Sequence, residues 1–266
     1  CRIIGLAYDT LDPGCYMPNI ADEVYLMPYP SHGADVLLRR ILEIHARTPI
    51  DVIMPTLDAE LSAYLKIEDR LREHGVHTLL PTMECLKLRS KAELHELHDK
   101  IGVRAPRGLA ITDANTINRL DEKLSYPLMV KGQFYDASIA YTAADVHAHF
   151  NRLRSKWGLP IIVQEFVPGE EYDVTVLGDG EGGLIGHVAM RKMQLTDKGK
   201  AWGGVTVLDD SLEEFIVDTM AKLKWRGPAE FEIMKSKDSG EHYIIEINPR
   251  FPAWVYLTAG AGRNLP

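Results

Sequence analysis

The stretch "FEIMKSKDSGEHYIIEINPR", Phe231 to Arg250, decides how the second half of the chain folds. Two apolar runs flank a turn centred near Ser239 and Gly240, the pattern of a β-hairpin. Side chains alternate across a strand, so Glu246 and Asn248 share one face while Ile245 and Ile247 share the other. Glu230 and Glu232 share a face in the same way. A turn at this position sets Glu232 opposite Glu246 and Glu230 near Asn248, which brings like charges into direct apposition and destabilises the sheet. A hard divalent cation reverses that sign, because Mg2+ takes oxygen ligands in octahedral geometry, commonly one or two carboxylates together with phosphates. A solvated acidic face on an edge hairpin would account for the carboxylates by themselves. It does not account for "EINPR", in which Pro249 ends the ladder behind Asn248 and Arg250 sets a cation just beyond the oxygen ligands.

Working outward, residues 1 to 88 alternate strand-like runs, "RIIGLAYD" (2–9), 24–27 and "DVIMP" (51–55), with the helical patterns "GADVLLRRILEIHAR" and "DAELSAYLKIEDRLREHG". That alternation predicts a parallel, doubly wound sheet. The domain boundary is placed near residue 88. Beyond it, "KAELHELHDKIG" reads as a helix with Ser90 as N-cap, Glu93 completing a capping box, Leu94, Leu97 and Ile101 on one face, and Gly102 closing it. Strands follow at 126–132, 137–142, 160–166, 171–178 and 183–192, with helices in "AADVHAHFNRLRSKW" and "SLEEFIVDTMAKLKW". In the latter, Leu212, Phe215, Ile216 and Leu223 share a face and Ser211 with Glu214 forms a second capping box. Short turns such as "GDGEGG" join consecutive strands, so this half is α+β with antiparallel sheet.

The 266 residues are 45% hydrophobic and 26% charged, enough for two domains with real cores. A formal net charge of -8 argues against a binder of nucleic-acid backbones, while a local basic cleft for a nucleotide remains compatible with it. Cys1, Cys15 and Cys85 are odd in number and irregularly spaced, giving no disulfide framework or thiolate zinc site and fitting a reducing cytoplasm. No apolar stretch approaches the roughly 20 residues that span a bilayer, and no secretory pattern opens the chain, so no membrane partner is expected. Starting at Cys1 inside a strand-like run and stopping in "AGAGRNLP", the chain reads as a fragment truncated at both ends.

With the hairpin in place, the chain resembles the ATP-grasp family, most of all its carbamoyl-phosphate-synthetase-like and carboxylate–amine ligase branches, which carry a preceding doubly wound domain. The resemblance implies a pre-ATP-grasp domain at 1–88 and an ATP-grasp domain at 89–266, with lobe one at about 89–163 and lobe two at about 164–266. Glu232, Glu246 and Asn248 match the positions that hold one or two Mg2+ (or Mn2+) ions on ATP. Arg250 matches the arginine that meets the transferred phosphoryl group or the substrate. Glu230 matches no ligand and is read as a support for the others. Lys91 resembles the first nucleotide lysine and Lys131 the second, which touches the α- and β-phosphates; a lysine finishing a buried strand needs an anionic partner. In "QEFVPGEEYDV", Gln164 would face the adenine amino group, Glu165 and Val167 would offer backbone groups to the ring, and Glu171 would bind the ribose hydroxyls. An ordinary turn around Pro168 and Gly169 explains the same letters without a ligand. The family's glycine-rich flap reads "GQFYDASIAY" here, with only Gly132, Ala137, Ser138 and Ala140 small, and leaves Ser138 to cover the nucleotide.

Arg191 ends a strand beside Lys192, with Lys198 and Lys200 in a polar loop that returns through Trp202, Gly203 and Gly204. Either this is a solvated basic loop, or Arg191 reaches the γ-phosphate and the loop closes over the acceptor. His95 and His98 lack the spacing of a metalloprotease pair, and no nucleophile elbow is present. The resemblance implies an ADP-forming, carbon–nitrogen bond-forming ligase acting on a small-molecule carboxylate and a nucleophile, and it admits a homodimer. Two other readings stay open: a bicarbonate-phosphorylating subunit of the carbamoyl-phosphate-synthetase or carboxylase type, and an ATP-binding module without catalysis, to which the glycine-poor flap lends support.

Overall fold

The computed structural model describes residues 1–90, 93–132, 136–196 and 201–266. The chain divides into two compact units, Cys1–Leu80 and Pro81–Pro266. In the first, β1 (Ile4–Ala7) pairs in parallel with β2 (Glu23–Leu26), and β3 (Val52–Ile53) pairs in parallel with β4 (His77–Thr78). Helices α1 (Ala34–His45) and α2 (Asp58–Glu73) bury Leu37, Leu38, Ile41 and Ile44, and Leu61, Tyr64, Ile67 and Leu71. That spacing of three and four is the apolar stripe of an amphipathic helix. The parallel pairing agrees with the sequence. Among the described residues, however, the ladders form two separate two-stranded pairs and do not draw the single doubly wound sheet expected for this region.

The boundary falls at 80/81 and not near 88, because α3 (Met83–Leu88) sends Cys85 and Leu88 into the core of the second unit. The helix expected from Lys91 starts later. A 3-10 turn at Leu94–Glu96 leads into α4 (Leu97–Ile101), which Gly102 closes at φ 69°, in the left-handed region that favours glycine. The Ser90–Glu93 capping box is not formed: the Ser90 carbonyl accepts the amides of Glu93 and Leu94, and the Glu93 side chain makes no capping bond. Lys91 itself lies outside the described residues.

Two antiparallel sheets follow. The smaller has the order β5-β8-β6-β7, from β5 (Gly108–Ile111), β6 (Leu128–Lys131), β7 (Ala137–Ala140) and β8 (Ile161–Glu165). Helix α5 (Ala143–Trp157) packs Val146, Phe150 and Leu153 against Leu128, Val130 and Val163 of this sheet. Its capping box is complete, Thr142 and Asp145 exchanging side-chain and backbone bonds. The larger sheet has the order β11-β10-β9-β12-β13, from β9 (Gly169–Asp179), β10 (Leu184–Leu195), β11 (Ala201–Val207), β12 (Arg226–Ser236) and β13 (His242–Asn248). Helix α6 (Asp210–Leu223) lies on one face, where Leu212, Phe215, Ile216 and Leu223 meet Tyr172, Val174, Val176, Phe231, Ile233, Ile244 and Ile247. A short helix α7 (Leu257–Gly260) comes last.

Three expectations change here. Leu94, Leu97, Val103 and Ala105 join the core of the larger sheet, so the segment before β5, expected with lobe one, packs on that sheet. Trp202, Gly203 and Gly204, read as the return of a loop, lie in the edge strand β11 against β10. The N-cap of α6 is Asp209, whose carboxylate accepts the amides of Ser211 and Leu212, in place of the Ser211–Glu214 box. The close approach of β9 to β12 also fixes a residue type, since a Cβ on Gly169 would collide with the Lys235 carbonyl.

Asp209 also pairs with Lys235 Nζ at 2.6 Å. That hydrogen bond, with the one from Ser211, holds its pKa well below the usual carboxylate range. Asp209→Ala should cost about 1–2 kcal/mol of unfolding free energy, measured in urea. A group with a depressed folded pKa stabilises above its unfolded value and loses that contribution as pH falls through the folded one. The deficit of Asp209→Asn, which keeps an N-cap acceptor and removes the charge, should therefore be full at pH 7 and shrink below about pH 4.

Candidate functional site

Every face of the larger sheet follows from its register. Glu232 pairs with Glu246 on one side and Asp173 on the other, and Glu230 pairs with Asn248 and Thr175. Directly opposed residues share a face, so all six point away from the apolar core. The hairpin pairing read from the sequence is therefore the one observed. One detail differs: a bulge after Glu232 lets Ile244 and not Ile245 join Ile247 in the core.

The carboxylates on this face close around an ammonium. Lys192 Nζ lies 3.0 Å from Asp173 Oδ1 and 3.2 Å from Glu232 Oε2, and it contacts Glu171 as well. Its side chain is only 3% exposed. Oxygens of Glu171, Asp173 and Glu232 all fall within 4.8 Å of one another. Burial works against the Lys192 ammonium, but Glu232, Asp173 and Glu171 outweigh it and lift the amine above its ordinary pKa. Burial pushes the Asp173 carboxyl up to about 8, with Lys192 opposing and Glu232 and Glu230 adding to the rise.

Behind this trio, Glu230 accepts Trp254 Nε1 at 2.5 Å and Asn248 Nδ2 at 3.0 Å, and burial raises its pKa against the Trp254 bond. Asn248 Nδ2 also donates to Glu232 Oε1 at 3.3 Å. Ionised carboxylates only accept, so these bonds direct the amide nitrogen of Asn248 at Glu230 and Glu232. The donor set fits a hard cation: carboxylate oxygens of Glu171, Asp173 and Glu232 lie together, and Asp173 Oδ1 is buried with an ion pair but no aligned hydrogen-bond donor.

The other expected residues distribute as follows. Lys131 ends β6 with register partners Ala137 and Ile162, and Gln164, 7% exposed, pairs with Met129. By alternation Lys131 and Gln164 share the face of the smaller sheet opposite its α5 core. Ser138 pairs with Val130 instead, and its Oγ accepts Arg152 Nη2 of α5 at 2.9 Å. It sits on the helix side, away from Lys131, and not where a nucleotide cover is expected. The Glu165 amide donates to Arg107 O and its carboxylate binds the Arg107 guanidinium. Val167 lies in the short connection between β8 and β9. Gly132 N donates to Asp136 O across the flap, whose residues 133–135 lie outside the described residues, as do Lys198 and Lys200.

Arg191 is corrected by the same alternation. It pairs with Tyr172, a core-facing residue, and its guanidinium binds Glu170 at 2.6 Å. The neighbouring Lys192 takes the acidic face. Asp173 and Lys192 were the residues that sequence reasoning passed over, although counting by two along "EEYDV" and "AMRKM" aligns them with Glu171. Trp254 carried no signal, since its role depends on a chain reversal after Pro249.

A family model described as an ATP-grasp domain matches residues 89–253. Among solved structures, the biotin carboxylase–β,γ-ATP complex of Campylobacter jejuni is similar, with a TM-score of 0.74 and 17% identity over 97% of this chain and 62% of that one. The biotin carboxylase domain dimer of Hydrogenobacter thermophilus 2-oxoglutarate carboxylase, a complex with MgADP, ADP and bicarbonate, is similar with a TM-score of 0.69 and 17% identity, over 95% of this chain and 59% of that one. The chain thus spans about three-fifths of the length of these structures, and at this identity the likeness is one of fold.

Removing one partner of a buried ion cluster leaves uncompensated charge. Lys192→Met should destabilise the protein by about 3–5 kcal/mol in urea unfolding, and adding Glu171→Gln, which removes one carboxylate that faces Lys192, should recover part of the loss.

Proposed function

The chain belongs to the ATP-grasp family, and on that footing we propose that it is an ATP-dependent ligase that activates a carboxylate as an acyl phosphate for attack by an amine or similar nucleophile. The observation that carries this reading is the register that seats Glu232 between Asp173 and Glu246 on the face turned from the core, with Asn248 alongside. Glu232, Glu246 and Asn248 would hold Mg2+ (or Mn2+) against the ATP phosphates. A cation held there would supply positive charge to offset that of the phosphate oxygens.

The chain's own residues supply the rest. Lys131 neutralises the α- and β-phosphates from the end of β6. Gln164, the Glu165 carbonyl and Val167 hold the adenine edge. Lys192, and not Arg191, faces the transferred group, and Arg250 meets it from beyond β13. Glu171 serves the ribose hydroxyls only by loosening its hold on Lys192. Lys91 is kept as the first nucleotide lysine by its place in the family pattern. A carboxylate oxygen attacks the γ-phosphorus as the bond to the bridging oxygen breaks and ADP leaves. The nucleophile then attacks the acyl carbon, loses its proton, and phosphate departs. Positioning and fixed charge are what the protein contributes to both steps.

A second reading keeps the site and changes the oxyacid to bicarbonate; its support is that the similar Hydrogenobacter structure holds bicarbonate beside MgADP. An ADP-release assay separates the two, with stimulation by a carboxylic acid and an amine supporting the ligase and a response to bicarbonate alone supporting the second reading. ATP binding without turnover on any mixture would leave only the binding module. In the same assay Glu246→Gln should abolish ADP formation while its circular dichroism and melting curve stay those of the parent; full ADP production by that variant would defeat the assignment.

A further inference from the structure

Lys192 raises a question that the ligase chemistry does not answer, namely why a site suited to a divalent cation should already contain a buried ammonium. We propose that Lys192 is a built-in counter-ion: its ammonium, seated among Glu171, Asp173 and Glu232, occupies the Glu232 carboxylate that a metal ion would share with Glu246 and Asn248, and it must release Glu232 before the ion can bind. Metal then binds together with the triphosphate, which gives the displaced ammonium a new anionic partner. This rests on reading the acidic face as a metal–nucleotide site.

The geometry sets the competition. Octahedral Mg2+ holds its ligands at about 2.0–2.1 Å, so oxygens on opposite sides of it stand about 4.2 Å apart. The three carboxylates around Lys192 have oxygens within 4.8 Å of one another, so a cation bound at Glu232 would stand beside the ammonium. Lys192 Nζ lies among them, at 3.0 Å from Asp173 and 3.2 Å from Glu232. Two positive centres that both hold Glu232 repel each other at close range. Glu232 is the contested ligand: Lys192 holds Oε2 and Asn248 Nδ2 holds Oε1. A metal ion that takes Glu232 therefore displaces one of them. Asn248 is anchored a second time, through Glu230, whereas Lys192 hangs on a flexible four-carbon stem from β10. The lysine is the partner that can move.

The consequence is coupling. Metal alone must part the ammonium from Glu232 with no new anion to receive it, while metal with nucleotide moves it from carboxylate to phosphate. Each ligand then strengthens the other by the same factor. Without such a device, a cluster of three carboxylates would collect free divalent ions and stay charged with metal between turnovers.

The test is Mn2+ alone, titrated into the full chain and followed by the electron paramagnetic resonance of the free ion. The parent should bind Mn2+ weakly without nucleotide and at least tenfold more tightly with ADP. Lys192→Met should bind Mn2+ at least tenfold more tightly than the parent in the absence of nucleotide, and gain less from ADP. Should Lys192→Met fail to fold, the charge-balanced pair Lys192→Gln with Glu171→Gln decides, with the same tenfold gain expected. Equal Mn2+ affinity in the parent and the folded variant overturns the counter-ion role. It leaves the ligase reading standing, which ADP release judges separately.

Discussion

The structure depends on one electrostatic constraint: five acidic side chains and an amide gather on one face of an antiparallel sheet, and something positive must stand among them. Glu171, Asp173, Glu230, Glu232 and Glu246 come from β9, β12 and β13, and the register leaves them no other direction to point. In the ligand-free chain Lys192 supplies the compensation for three of them, and Trp254 and Asn248 donate to Glu230. Such an arrangement is costly as a stability device, because each buried ion gives up its hydration. It is intelligible as a site prepared for a larger positive charge.

The opposite face makes that arrangement enforceable. Tyr172, Val174, Phe231, Ile233, Ile244 and Ile247 are buried against α6, so a one-residue slip of any central strand would exchange apolar and acidic faces at once. The apolar core thus holds the carboxylates in a register that their mutual repulsion opposes. The bulge after Glu232 is where the hairpin reconciles the two, placing Ile244 inward while leaving Glu246 opposite Glu232.

Much of this could be read from the letters, for a physical reason. Alternation along a strand and the position of a tight turn are local, and together they fixed Glu232 against Glu246 and Glu230 against Asn248. The misreadings are non-local or compete with other local signals. Nothing in "AWGGVTV", with its adjacent glycines, announces a strand; β11 exists because β10 offers it a ladder. Ser90 and Ser211 looked like caps, yet the backbone started its helices at other positions, with Asp209 the better placed acceptor for α6. The sequence offers Arg191 for the γ-phosphate, while its register partner Tyr172 shows that the period of two turns it to the core side and sends Lys192 to the acids. The start of the second unit moved because Cys85 and Leu88 contribute to a core whose sheet lies some way downstream in sequence.

The most direct test of the central claim is anomalous scattering from crystals grown with Mn2+ and ADP. The account predicts a manganese peak bonded to side-chain oxygens of Glu232, Glu246 and Asn248 and to phosphate oxygens of the nucleotide. A nucleotide bound with its metal away from these three residues, or no metal on this face of the sheet, would contradict it.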